Sequence, residues 1–219
     1  MEKNTKATEV MQVMQGDGPS FVSQLVPVVE IIDAEDAVPL ARALLEGGID
    51  VIEITLRSEA ALKAIENIAQ SGLPIALAAG TVLNIEQLLQ VKAAGAKFAF
   101  SPGSTPALLD AARQHDFGFI PGVASASEVM QCLEKGFTLM KLFPADIAGG
   151  ISFINAVKSP LPMARFIPTG GVNASNAASF AACSNVAAMG GSWLAPKGLI
   201  QAKAWPAITQ LALQARELI

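Results

Sequence analysis

The sequence has one histidine, two cysteines and few charges, 16% of its residues, and each shortage removes a class of function. His115, in Arg113-Gln-His-Asp-Phe117, falls where a helix gives way to a strand and reads as a surface imidazole. A zinc centre, which takes clustered histidine, cysteine or carboxylate ligands, therefore has no foundation, although carboxylate-bound magnesium stays open. Cys132 and Cys183 stand in neither a CxxC motif nor a metal-ligand spacing, so they read as buried reduced thiols in helices, which points to the cytoplasm. Fifteen basic and nineteen acidic residues give a net charge of −4 with no cluster of Lys and Arg, which argues against nucleic acid or an anionic membrane surface as partner. No apolar stretch reaches the length of a membrane span, and the first ten residues lack the apolar centre of a secretory signal. The expected partner is a small molecule.

What is present is apolar: 52% of 219 residues are hydrophobic, enough for a substantial core, and no linker-like segment interrupts the chain. One domain over residues 1–219 is expected. Short runs of Val, Ile, Leu and Phe alternate with longer segments of helical spacing, the βα pattern. Eight strands are expected, beginning near Leu25, Asp50, Pro74, Lys97, Phe117, Thr138, Arg165 and Val186. Helices are expected after Asp33, Ser58, Asn84 and either Ser104 or Thr105 as N-caps, with Gly47, Gly72, Gly95 and Gly136 as stops. Eight such units make a (β/α)8 TIM barrel the expected architecture, with an extra N-terminal helix at residues 5–15 and a closing helix near 203–217. The alternative, an open doubly wound sheet, loses ground because the first βα turn lacks G-x-G-x-x-G.

Lys141 is the most informative residue. It sits in Thr138-Leu-Met-Lys-Leu-Phe-Pro144, a strand-like apolar run where an unpaired ammonium would cost several kcal/mol. A lysine amine in a low-dielectric site can attack a ketone and form a Schiff base. In Asp50-Val-Ile-Glu-Ile-Thr-Leu-Arg57 a period of two puts Glu53, Thr55 and Arg57 on one face, toward the barrel lumen that Lys141 shares. A structural ion pair is the plain alternative. It is weaker, because a fold gains little from three buried ionisable groups, whereas Schiff-base chemistry needs an amine, a proton shuttle and an anion anchor. Two glycine turns, Pro168-Thr-Gly-Gly-Val172 and Met189-Gly-Gly-Ser-Trp193, follow the last two expected strands. In such barrels this is where phosphate is often held. Gly170, Gly171, Gly190 and Gly191 leave backbone N–H groups accessible and Ser192 adds a hydroxyl. Thr81, Ser101 and Pro102 occupy further loop positions at strand ends, where capping explains them as well as substrate contact does.

Together VIEITLR, GTVLN, FSPGSTP, FIPGVAS, KLFPA, PTGGV and GGSWL resemble the bacterial 2-dehydro-3-deoxy-phosphogluconate aldolases, often bifunctional as 4-hydroxy-2-oxoglutarate aldolases, from about residue 20 to the C-terminus. The resemblance implies a class I aldolase of the Entner–Doudoroff pathway, without metal or cofactor, assembled as a homotrimer. It makes Lys141 the Schiff-base lysine and Glu53 the general acid and base. Arg57, Thr81 and Pro102 would surround the pyruvate part and Phe143 would pack beside the imine. Gly170, Gly171, Gly190, Gly191 and Ser192 would hold the phosphate, with Thr169 near the substrate hydroxyls. The implied substrate is a phosphorylated 2-oxo acid, 2-dehydro-3-deoxy-6-phospho-D-gluconate. Its galactonate epimer is the competing substrate, disfavoured by the Pro-Thr-Gly-Gly turn. A non-catalytic phosphate-binding barrel, with Lys141 a mere counter-ion for Glu53, is the competing class.

Overall fold

A computed structural model describes residues 23–219. The helix expected at residues 5–15 lies outside the described residues. From Leu25 onward strand and helix alternate as follows: β1 (Leu25–Val29), α1 (Ala37–Glu46), β2 (Val51–Thr55), α2 (Ala61–Gln70), β3 (Ala76–Gly80), α3 (Ile85–Ala93), β4 (Phe98–Phe100) and α4 (Pro106–Gln114). Next come β5 (Gly118–Ile120), β6 (Gly122–Val123), α5 (Ala126–Glu134), β7 (Leu139–Leu142), α6 (Gly150–Lys158), β8 (Arg165–Pro168), α7 (Ala177–Ala181) and β9 (Met189–Gly191). Two helices, α8 (Lys197–Gln201) and α9 (Trp205–Arg216), close the chain.

All strand pairings are parallel. Six strands form one sheet in the order β5-β4-β3-β2-β1-β9, and β6-β7-β8 form a second. The single fifth strand expected near Phe117 is two short ones, and the reason is Pro121. Proline has no N–H for a ladder, so pairing to β4 stops at Ile120 and resumes toward β7 at Gly122, while the Pro121 carbonyl accepts from Lys141 N at 2.8 Å. Isolated parallel bridges, Phe166 to Val186 and Thr169 to Gly190, run between β8 and the approach to β9.

The helices cover the strands through apolar faces of helical period. In α2 the buried residues are Ala61, Ala64, Ile65 and Ile68, spaced i, i+3, i+4 and i+7. Strands covered on one side by helices and packed on the other read as continuous apolar runs, and all five residues of β2 are buried, Glu53 and Thr55 included. One hydrophobic cluster runs from Leu25 to Ala215, with Phe98, Phe100 and Phe166 among its largest members. Each such side chain contributes about 1.5–3 kcal/mol by burial.

Helix starts follow local chemistry at some positions and long-range contacts at others. Asn84 caps α3, accepting from Gln87 N at 2.9 Å, and Thr105 rather than Ser104 caps α4, accepting from Leu108 N at 3.2 Å ahead of Pro106. Asp33 caps a short 3-10 turn, Ala34–Asp36, that precedes α1. Ser58 is not a cap: its hydroxyl donates to the Ile31 carbonyl, and α2 starts three residues later. Gly47 ends α1 as its C-cap, its N–H donating to the Ala43 carbonyl at 3.1 Å, and lies against Ala212 of α9, while Gly48, at φ +77°, turns the chain. Both cysteines are buried and free; Cys183 follows α7 rather than lying in it.

Candidate active site

The site begins with two buried charged residues on facing strands. Glu53 sits in the middle of β2, flanked in register by Val28 of β1 and Ala78 of β3, and Lys141 sits in β7 between Gly122 of β6 and Ile167 of β8. Their side chains meet: Lys141 Nζ donates to Glu53 Oε1 at 2.8 Å and to Oε2 at 3.1 Å, with the two side chains only 6% and 1% exposed. Desolvating both charges is expensive, and the bidentate contact offsets that cost only while both partners are present. The Phe100 and Phe143 rings, with centroids 5.1 and 5.6 Å from Nζ, wall the amine off from water.

The room for Glu53 comes from a glycine. A β-carbon on Gly80, at the end of β3, would fall 2.7 Å from Glu53 Cγ and 2.8 Å from Cδ. Gly80 leads into Thr81, which is held at φ +60°, a conformation that costs a β-branched residue about 1–3 kcal/mol. Strain of that kind concentrates where a side chain must be aimed at a ligand.

Glu53, Thr55 and Arg57 were expected to share the lumen face, with lysine, carboxylate and guanidinium converging. Lys141 and Glu53 do converge. Arg57 does not reach them: β2 ends at Thr55, the backbone turns as Arg57 N donates to Thr55 O (2.8 Å), and Arg57 Nε donates to Thr55 Oγ1 at 3.1 Å. Thr55 Oγ1 in turn donates to the Val29 carbonyl (2.8 Å). Arg57 thus stands exposed, tied to β2 through Thr55, and makes no ion pair among the described residues.

On the β4 side, Ser101 Oγ accepts from Gly122 N at 3.2 Å, and Gly122 packs against the Pro102 backbone, so the Ser101-Pro102 turn is held against the strand beside Lys141. The two glycine turns also come together. Thr169 bridges Gly190, its side chain lying where a β-carbon on Gly190 would be. Gly170 and Gly171 take φ +90° and +81°, open to glycine and strained for other residues, and Gly191 with exposed Ser192 begins a 3-10 turn through Leu194. Two contributors were not singled out from sequence, Phe100 over the amine and Gly80 beneath the carboxylate, and both depend on contacts between distant strands. Period-two parity on β2 placed Thr55 on the right face, but not its hold on the arginine.

A buried amine against a carboxylate, under aromatic cover, can hold a carbonyl carbon covalently and move protons on and off it. Comparison with known proteins identifies the family of the chain. The family model described as KDPG and KHG aldolase matches residues 21–211. The chain belongs to the KDPG and KHG aldolase family. It is 46% identical to a 2-dehydro-3-deoxy-phosphogluconate aldolase of Pseudoalteromonas atlantica over 98% of this chain and 97% of that one. It is 42% identical to the KHG/KDPG aldolase of Escherichia coli strain K12, over 88% and 91% of the two chains. Among solved structures it resembles the KDPG aldolase of Legionella pneumophila with pyruvate captured at low pH as a covalent carbinolamine intermediate. That match has a TM-score of 0.85 and 44% identity over 87% of this chain and 92% of that one. Within the KDPG and KHG aldolase family, then, this chain carries a lysine and a carboxylate in direct contact at its buried centre.

Proposed function

We propose that the protein is a class I aldolase that cleaves 2-dehydro-3-deoxy-6-phospho-D-gluconate to pyruvate and D-glyceraldehyde 3-phosphate. The observation that carries the reading is the buried Lys141–Glu53 contact at 2.8 Å in a member of the KDPG and KHG aldolase family. Lys141 passes a proton to the Glu53 carboxylate it contacts, and the neutral amine attacks the C2 ketone to give a carbinolamine, the species named for the Legionella protein bound to pyruvate. Glu53 protonates the departing hydroxyl, water leaves, and the iminium forms. Removal of the C4 hydroxyl proton by the Glu53 carboxylate then breaks the C3–C4 bond, and its electron pair passes into the iminium. The aldehyde leaves, and an enamine of pyruvate remains on Lys141. Protonation at C3 and attack by water on the iminium carbon release pyruvate and restore the amine.

Arg57 and Thr81, with the Pro102 turn, would receive the pyruvate carboxylate, and Phe143 would keep the imine dry. Gly170, Gly171, Gly190, Gly191 and Ser192 would take the phosphate, with Thr169 near the hydroxyls. The bridge between the two glycine turns supports a single anion cradle. We further propose that the two sheets curl into one (β/α)8 barrel. Support comes from the continuous chain across Pro121 and from the bridges at Phe166–Val186 and Thr169–Gly190. The single hydrophobic cluster supports one catalytic domain. A homotrimer in the cytoplasm completes the proposal; among the described residues no helix is long and apolar enough to cross a membrane.

4-Hydroxy-2-oxoglutarate is a second substrate in this proposal, favoured by the name of the Escherichia coli relative and by chemistry at Lys141 that does not need the phosphate. The galactonate epimer is disfavoured: the native KDPGal structure is 27% identical with a TM-score of 0.75, against 44% and 0.85 for the Legionella enzyme. The test is to incubate the protein with pyruvate, reduce with borohydride and map the adduct by peptide mass spectrometry. A pyruvate-dependent adduct on Lys141 is expected; correctly folded protein that gives none overturns the Schiff-base assignment.

A further inference from the structure

Three successive carbonyls of the turn after β8 are engaged, two by the segment after β7 and one by the loop that follows the turn. Thr169 O accepts from Ala145 N at 2.8 Å and Gly170 O from Asp146 N at 3.1 Å. Gly171 O accepts twice, from Asn176 Nδ2 at 2.9 Å and Asn173 Nδ2 at 3.1 Å. The C=O of one residue and the N–H of the next belong to one planar peptide unit and point in opposite directions. Fixing the Gly170 carbonyl therefore fixes the N–H of Gly171, and fixing the Gly171 carbonyl fixes the N–H of Val172. Among the described residues, no group accepts from either of these two N–H groups. Successive backbone N–H groups held on one side of a turn form an anion-binding concavity.

The two asparagines are themselves locked. Asn176 Oδ1 accepts from Asn173 N at 2.8 Å, and Asn173 Oδ1 accepts from Ser175 N at 2.9 Å and Ser175 Oγ at 2.6 Å. Each amide thus has its oxygen committed to the loop, which leaves the NH2 group facing Gly171 O. Aspartate could supply the oxygen but not the donor. We propose that Asn176 and Asn173 are positioning residues for substrate phosphate: by clamping the Gly171 carbonyl they aim the Val172 N–H, beside that of Gly171, at the phosphate oxygens. This rests on the reading that the phosphate is held at the Thr169–Val172 turn. It extends the machinery beyond the glycines to a loop whose side chains touch neither Lys141 nor Glu53. Because Ala145 and Asp146 closely follow β7, the same turn is also tied to the strand that carries Lys141.

The experiment compares wild type with Asn176→Ala, Asn173→Ala/Asn176→Ala and Asn176→Asp. Steady-state cleavage is measured for 2-dehydro-3-deoxy-6-phospho-D-gluconate and for the same sugar acid without phosphate, with inorganic phosphate as inhibitor. The expected result is a KM for the phosphorylated substrate raised about 5- to 10-fold in Asn176→Ala and further in the double variant, since each hydrogen bond lost is worth up to a factor of about ten. Its kcat stays within about twofold, and the parameters for the non-phosphorylated acid stay as in wild type. Asn176→Asp, which keeps the acceptor for Asn173 N and loses the donor, behaves like Asn176→Ala. A wild-type KM in Asn176→Asp, or an equal loss on both substrates, overturns the proposal and leaves the asparagines as ordinary turn residues. A different outcome marks failure of the underlying reading: wild type that neither prefers the phosphorylated substrate nor is inhibited by phosphate has no phosphate site at the turn.

Discussion

Gly80 lies against the Glu53 side chain closely enough that no β-carbon fits between them. The carboxylate therefore reaches Lys141 only because the end of β3 is bare. Gly80→Ala is expected to displace Glu53 and break its contact with Lys141. The cost is expected to be about 1–3 kcal/mol of stability, typical of overpacking, and at least about tenfold in kcat. Urea denaturation and steady-state kinetics on the same preparation check this; a variant with wild-type turnover would mean that Glu53 needs no fixed position.

Removing one partner of the buried pair strands the other. Lys141→Met is expected to abolish turnover and to destabilise the protein by about 3 kcal/mol, because the buried Glu53 carboxyl is left without its partner. Adding Glu53→Leu is expected to recover most of that stability while restoring no activity. Denaturation midpoints of the two variants test the claim, and a double variant no more stable than the single would contradict it.

Thr81 offers the opposite trade. Replacing it with glycine relieves the positive φ, which offsets glycine's entropic cost of about 0.5–1 kcal/mol. Thermal unfolding of Thr81→Gly is expected at or above the wild-type temperature, with a raised KM for the pyruvate portion. A clear fall in Tm would show that the hydroxyl, and not the backbone, governs this position.

Burial raises the Cys132 thiol above its ordinary value, an effect that its contact with Ser104 Oγ at 3.7 Å partly opposes and Glu128 adds to. A raised folded value means that the thiol's share of stability is full below the unfolded value and declines as pH climbs through the window up to the folded one. Native protein at pH 7 is expected to react with a thiol reagent at Cys132 far more slowly than urea-unfolded protein, and Ser104→Ala is expected to slow it further. Prompt stoichiometric labelling of native Cys132 would refute this.

The alternation of units was legible because apolar period changes visibly between strand and helix, and because Asn84 and Thr105 cap through their own neighbours. Ser58 misled because its hydroxyl goes to Ile31, a partner 27 residues away. The split at Pro121 was available in principle, since proline interrupts any ladder, yet the surrounding Phe-Gly-Phe-Ile reads as one strand. Of the candidate site, parity on β2 and β7 was enough to aim Glu53 and Lys141 at each other across 88 residues. Parity failed for Arg57, because the strand ends two residues before it and the period no longer applies. Gly80 was illegible for a different reason: a glycine's use as clearance depends on what approaches it, which no local pattern records.

Glu53 belongs to the six-stranded sheet and Lys141 to the three-stranded one. Neither sheet holds both residues, so the ion pair comes into being only when the two sheets come together. Under the proposed mechanism, turnover is a reporter of assembly. If the chain is severed between β5 and β6, the turnover of the recombined fragments counts correctly joined molecules, whatever secondary structure each piece retains alone.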